Sequence, residues 1–476
     1  MSLSQAPDGG LWSPQRRNLT VGLVLTITLV AFEALAVSTI MPVVARELGD
    51  LELYGWVFTA FMLGSLIGIV VVGGLIDRRG LGAPFAAGIG LFAVGLIVGG
   101  LAPSMELLVA GRFLQGLGAG TVPPIAYVAI GRRLPEGLRP QMFATLSTAW
   151  VLPGVIGPAV AGLVADTIGW RVVFLGLLPL IAAAAAISFP AIRRIGPAEG
   201  EDERPAEALA AASLGRRLPL ALVVAIGTGM FLAGLGSATP WQAVTLIVLG
   251  ALLAVVALRS LTPPGTLRLG LGLPTAIAMR GMLTFAFFAV DAYVALALVE
   301  WRGLTATQAG ISLTAATLAW TAGSWIQARF AVRWTPDRFV RAGLVAVIAG
   351  LASFMIVLMP EVSPWVAIPT FGLAGLGMGL AYAPLTLIVL SEAPPAEQGS
   401  AASALSLTDS LGTALGTGVT GAIVAISIRA GDGPAPGLAG GFAVALVVGL
   451  LALLASHRLR PATGAASPRT LVPREV

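Results

Sequence analysis

Apolar runs of about twenty residues, separated by short clusters of Gly, Pro, Arg and acids, recur along the whole chain. A hydrocarbon core ~30 Å thick takes about 20 residues of helix to cross. Fourteen segments meet that length, at 19–42, 54–76, 83–102, 105–130, 142–165, 171–190, 218–236, 240–258, 274–298, 306–330, 340–359, 364–390, 400–427 and 437–456. The pattern predicts an all-α integral membrane protein with fourteen transmembrane helices. Composition agrees: 57% of residues are hydrophobic and 11% charged, and the mean hydropathy is +0.92, outside the range of soluble domains.

The pattern also repeats. At an offset of 259 residues, Gly116-Leu117-Gly118-Ala119-Gly120 recurs as Gly375-Leu376-Gly377-Met378-Gly379, Gly157 and Gly162 meet Gly416 and Gly421, and Ser147 meets Ser406. Glu33 in the first segment meets Asp291 in the ninth, one residue out of register. The repeat predicts a six-helix bundle over 19–190 and a second over 273–457, after a cytoplasmic N-terminal segment, 1–18. Between them lie a charged linker (191–217), two extra helices without a counterpart (218–260) and a connector (261–272), and a tail follows at 458–476. Within that tail Leu471-Val472-Pro473-Arg474 resembles a protease-cleavage remnant, and residues beyond about 460 carry no fold expectation. A duplicated membrane bundle with an acid in the first helix of each half is the pattern of a transporter.

Charge sets the expected orientation. All 28 basic residues are Arg. With both termini cytoplasmic, 22 of them fall on the cytoplasmic side, Arg46, Arg171, Arg302 and Arg429 on the other, and Arg112 and Arg280 within helices. That bias satisfies the positive-inside rule, and the net charge of +5 calls for lipid headgroups rather than nucleic acid. The absences exclude chemistry. Without Lys there is no Walker A loop or Schiff-base site, and without Cys and with a single His, His457, there is no Cys/His metal site or thiol nucleophile. No catalytic centre, metal or cofactor is expected, and uphill work must draw on an ion gradient.

Four motifs in order carry a family resemblance: Phe32-Glu33 to Met41-Pro42 in the first segment; Gly73-Gly74-Leu75-Ile76-Asp77-Arg78-Arg79-Gly80 between the second and third; Arg112-Phe113-Leu114-Gln115-Gly116 in the fourth; Gly157-Pro158 with Gly162 in the fifth. The chain resembles the major facilitator superfamily, in particular its fourteen-helix drug:proton antiporters. It departs from the pattern in having Glu33 where Asp is usual and Leu81-Gly82 where a basic pair follows the loop motif. The resemblance implies two six-helix bundles rocking about a midplane cavity. It implies that Asp77, with Arg78 and Gly80, gates the cytoplasmic side by meeting a helix end of the other bundle, where exposed amides favour an anion.

An ionised carboxylate at mid-membrane costs on the order of 2.5–3.5 kcal/mol. Glu33 is therefore expected to face a cavity and to couple proton movement, unless Arg112 holds it as a structural pair. Arg112 with Gln115 is expected to hold Glu33 in one conformation and release it in the other. Asp291 and Asp409 are candidates for a second proton or a cationic substrate; Arg280 reads as a snorkelling residue near a helix end. Phe58, Phe61, Tyr127, Trp150, Tyr293, Trp320 and Tyr382 are candidates to line an apolar cavity with Glu33 and Gln115. Gly116, Gly118 and Gly120 read as helix packing, and Gly154, Gly157, Pro158 and Gly162 as packing and flexibility at the inter-bundle seam. The expected function is proton-coupled export of hydrophobic, cationic or neutral small molecules by alternating access. The chain would work as a monomer in a bacterial cytoplasmic membrane, with its substrate, protons and lipids as partners. The alternative is export of one endogenous metabolite or lipid.

Overall fold

The computed structural model describes residues 10–135, 138, 142, 145–146, 148–195, 204–330, 333–393 and 398–459. Helix follows helix throughout. In the first half these are α1 (Arg17–Leu48), α2 (Tyr54–Arg79), α3 (Gly82–Gly100), α4 (Met105–Ala119, continued as Val122–Arg133), α5 (Val151–Thr167) and α6 (Trp170–Leu175, continued as Leu177–Ile192). Next come α7 (Arg204–Leu235) and α8 (Pro240–Leu261). The second half contains α9 (Leu273–Leu296, continued by a π turn, Ala297–Trp301), α10 (Ala306–Phe330), α11 (Pro336–Met355), α12 (Ala367–Glu392), α13 (Gln398–Arg429) and α14 (Pro434–Ala455).

Among the described residues, twelve of these helices are long and apolar enough to cross a membrane, and α5, over Val151–Thr167, is apolar but shorter. The remaining one, α10, has 25 residues, and Thr307, Gln308, Ser312, Thr314, Thr317, Thr321, Ser324 and Gln327 dilute its hydropathy. Such a helix is suited to protein rather than lipid neighbours, and α10 packs on α12 and α5. One segment begins elsewhere than the hydropathy pattern predicts. α7 starts at Arg204, inside the expected linker, because Pro205 is acceptable in a first turn and an Ala-rich stretch follows. In the fifth segment the described residues 142, 145, 146 and 148 are already helical, a turn follows at Ala149 and Trp150, and α5 runs on from Val151. The break in α4 falls where Pro123 and Pro124 lack the amides that would bond to Ala119 and Gly120.

The repeat is visible as packing. α1 lies on α5 and α6 as α9 lies on α13 and α14; α4 lies between α2 and α3 as α12 lies between α10 and α11. The glycine ladder explains the close fit. A Cβ on Gly116 or Gly120 would strike the backbone of Phe61 or Ser65 in α2, and one on Gly118 would strike Gly88 and Phe92 in α3. Gly375 and Gly379 meet Ala316 and Trp320 of α10 in the same way, and Gly377 meets Gly343 of α11. Small residues let membrane helices approach to backbone contact. The inserted α7 and α8 pack on each other, and α7 leans on α2 and α13, astride the boundary between the halves.

Candidate functional site

The two halves press together at one end, the end of the α1–α2 connection. There Tyr54 donates a hydrogen bond to the carbonyl of Ala292 (3.3 Å) and Tyr293 donates to the carbonyl of Thr417 (2.8 Å). The two rings lie 5.3 Å apart, with Phe58 5.6 Å from Tyr54. Beside this plug, a Cβ on Gly55 of α2 would come within 2.8 Å of the Gly421 Cα in α13, so only glycine fits the crossing. Polar links ring the same end: Arg46 to Glu300 (2.5 Å), Arg429 to Glu52 (3.3 Å), and Asp166 accepting from the Thr307 amide and hydroxyl (3.0 and 2.7 Å). Every residue is buried over Ala36–Pro42 of α1 and over Ala292–Val299 of α9. Toward the other end, both helices carry partly exposed positions.

In this conformation Phe58 and Tyr293, expected from sequence to line a cavity, lie in the closed plug. Tyr54, their partner, had no signal in the sequence beyond an aromatic at a helix start. Gly154 and Gly162 are at the α5–α10 crossing, facing Thr317 and the backbone of Ala306 and Thr307; Pro158 is there too, its carbonyl against Gly310. Gly157 turns instead toward Phe32 of α1, at an ordinary distance.

In the first half, Glu33 and Arg112 form an ion pair, both fully buried. Gln115 donates to the same carboxylate oxygen, Oε1 (3.2 Å), and accepts from Arg112 (3.0 Å). Arg112 also donates to the carbonyl of Val57 (3.3 Å) and lies 4.3 Å above the ring of Phe61, a cation–π contact. The other oxygen, Oε2, has no hydrogen-bond partner. Glu33 borders a narrow apolar cleft lined by Ala36, Val37 and residues of α6. Expected from sequence as neighbours, Glu33, Arg112 and Gln115 are one site, and Phe61 belongs to it as the plate under Arg112.

The second half holds a different cluster. Arg280, only 4% exposed, donates to the carbonyl of Tyr382 (2.7 Å) and to Thr386 (2.6 Å), lies 3.4 Å above the Tyr382 ring, and is 3.5 Å from Asp409. Tyr382 donates to Asp409 (3.0 Å) and packs on Trp320 at 5.5 Å. The reading of Arg280 as a snorkelling residue is therefore overturned: α12 and α13 cover it and supply its acceptors. Asp409 is three turns inside α13, a helix that begins at Gln398, and its side chain is 27% exposed. Tyr127 and Trp150 are 55% and 47% exposed, and Tyr127 interacts electrostatically with Tyr382 of this cluster. Asp291 is partly exposed and makes no hydrogen bond or ion pair with another described residue. Gly80, with φ +67°, ends α2 in a conformation that favours glycine, while the side chains of Asp77 and Arg78 lie outside the described part.

A repeated six-helix unit with a buried Glu–Arg–Gln site in one copy narrows the family, and the sequence model of the Major Facilitator Superfamily matches residues 23–417. The chain belongs to the major facilitator superfamily. A probable multidrug-efflux transporter of Mycobacterium tuberculosis is 27% identical over 473 residues, 96% of this chain and 98% of that protein. The methylenomycin A resistance protein of Streptomyces coelicolor is 27% identical over 382 residues, 78% and 77% of the two chains. Multidrug resistance protein 3 of Bacillus subtilis is 24% identical over 416 residues, 85% and 79%. Among solved structures, a bacterial homologue of the human lysosomal transporter Spinster, described as inward-facing and unoccupied, superposes with a TM-score of 0.67 at 16% identity, over 95% of this chain and 100% of that one. A POT family transporter gives 0.65 at 16% identity, over 93% and 98%. These two show the same fold. The protein is a multi-pass membrane protein of a transporter family.

Proposed function

We propose that this major facilitator superfamily member is a proton-coupled exporter of hydrophobic, cationic or neutral small molecules. Relatives named for multidrug efflux and antibiotic resistance support the export reading. The observation that carries the coupling reading is the sealed Glu33–Arg112–Gln115 site. With the Arg-rich side cytoplasmic, both termini are inside, the α1–α2 end faces outward, and the plugged state opens inward. The chain acts as a monomer in a bacterial cytoplasmic membrane.

The chemistry follows from the carboxylate. Arg112 and Gln115 both occupy Oε1, so Oε2 is the place for an incoming proton. Protonation there removes the counter-charge of a buried guanidinium. Breaking a buried pair in that way costs several kcal/mol, which drives Arg112 toward its other supports, the Val57 carbonyl, Gln115 and the Phe61 ring. Those supports sit on α2 and α4, so the proton changes how α1 is tied to them. For a neutral substrate the proton's charge crossing 100 mV yields about 2.3 kcal/mol; for a monovalent cation exchanged one for one that electrical term cancels and the pH gradient alone drives export.

Proteoliposomes loaded with a fluorescent hydrophobic cation provide the test. An imposed pH gradient is expected to accelerate its transport, nigericin to abolish the acceleration, and Glu33→Gln to transport at one rate with or without the gradient. Transport by the wild type that ignores the gradient contradicts proton coupling.

A further inference from the structure

The two seams between the halves are built alike and covered differently. A Cβ on Gly55 of α2 would meet the Thr417 carbonyl of α13, and one on Gly310 of α10 would meet the Pro158 carbonyl of α5, so the two crossings correspond. Eight residues inward of those glycines stand Leu63 and Leu318, and six residues inward of Thr417 and Pro158 stand Leu411 and Leu152. The same side chain at the same depth has opposite surroundings: Leu63 and Leu411 are 8% and 7% exposed, Leu318 and Leu152 47% and 58%.

The cover on the first seam is the inserted hairpin. Ala221, Val224 and Ala225 of α7 form one apolar cluster with Leu63 and Leu66 of α2, Leu411 of α13 and Leu258 of α8. Nearer the plugged end, Leu232 lies over Gly418 of α13 beside the Thr59 hydroxyl of α2. From Ala221 to Leu232, α7 follows the seam for about three turns. These contacts are apolar, so the halves can shift beneath α7 without breaking a hydrogen bond.

At the second seam α5 and α10 pack on each other, on α1, and on α6, α9 and α12 of their own halves. Contacts of Gly162 with Thr307, Gly310 with Pro158 and Gly154 with Thr317 close it from the plugged end inward. One turn further, Trp150 is exposed and Thr321 partly exposed. Thr317 and Thr321 keep their hydroxyls on the carbonyls of Leu313 and Thr317 (3.0 Å each), so an apolar molecule meets no unpaired donor there. Beside Thr321, Trp320 packs on Tyr382, which places the inner mouth of this seam next to the Arg280–Asp409 cluster.

We propose that the α7–α8 hairpin is a one-sided lateral lid: it seals the α2–α13 seam from lipid, and compounds dissolved in the bilayer enter between α5 and α10. This rests on the export of hydrophobic compounds proposed above and names where they come in. Apolar solutes concentrate in hydrocarbon rather than water, so a seam exposed to lipid is presented with far more of them than a water-filled opening is.

The test begins with wild type in liposomes photolabelled by a small membrane-dissolved aryl diazirine, with sites mapped by mass spectrometry. Leu152 and Leu318 are expected to be labelled about fivefold more than Leu63 and Leu411; equal labelling of the four overturns the lid. In a second measurement, Thr321→Trp narrows the mouth of the α5–α10 seam. Gradient-driven transport of rhodamine 6G in liposomes is expected to slow about fivefold, while its equilibrium binding in detergent, where no bilayer surrounds the seam, stays within about twofold of wild type. Transport at the wild-type rate, or an equal loss of binding in detergent, overturns the entry route. If Thr321→Trp fails to fold by size-exclusion profile, the labelling of wild type decides alone. Unequal labelling in a wild type that transports no rhodamine 6G refutes the export reading and leaves the lid, whereas equal labelling with transport intact refutes the lid alone.

Discussion

Glu33 and Asp291 lie one residue out of register in the two halves of the repeat and have opposite surroundings. Glu33 is sealed and shares an oxygen between Arg112 and Gln115; Asp291 ends a partly exposed stripe of α9 and has no described hydrogen-bond or ion-pair partner. The arginine of the second half sits instead on α9 itself, bound to Asp409 and Tyr382 nearer the open end. One duplicated scaffold thus carries an acid paired with a buried arginine in one half and an acid without a described partner in the other. Under the function proposed above, the first half is where the proton acts.

The comparison breaks most severely if Arg112 is removed. Arg112→Met strands Glu33 in a dry site and is expected to cost about 3–5 kcal/mol, read as a large drop in melting temperature in detergent. Glu33→Gln combined with Arg112→Met is expected to be more stable than Arg112→Met alone; the reverse order would mean the pair is not the unit that matters. In the second half, Asp409→Asn is expected to cost less, roughly 1.5–3 kcal/mol, because Arg280 keeps the Tyr382 carbonyl and Thr386 and Asp409 is partly exposed. The smallest effect belongs to the rim: Arg46→Ala removes a link whose arginine is largely exposed, worth about 0.2–1 kcal/mol, and a melting shift as large as that of Arg112→Met would show that the plugged end, not the buried pair, dominates stability.

Much of this architecture is legible in the order of residues along the chain. The glycines at 116, 118 and 120 and their copies at 375, 377 and 379 mark helix crossings because backbone contact tolerates nothing larger, and in the folded protein they form matching crossings in the two halves. Glu33, Arg112 and Gln115 are legible because intramembrane charge is costly enough to require a partner. The Tyr54–Tyr293 plug is not, since both residues are ordinary aromatics far apart in sequence whose contact exists only once the halves meet. Arg280 misleads for a related reason: seven residues from a helix start it looks able to reach the interface, and only the packing of α12 and α13 over it shows that it cannot. The partly exposed stripe on α9 is not legible either, since Met282, Phe285 and Phe288 are no less apolar than the buried residues beside them.

The central claim is that Glu33 couples the proton without being needed to hold the substrate. Substrate counterflow in proteoliposomes without any ion gradient, set beside accumulation under an imposed pH gradient, measures both properties on one preparation of Glu33→Gln. The account predicts counterflow close to the wild-type rate and no gradient-driven accumulation. Accumulation at the wild-type level by Glu33→Gln would contradict it.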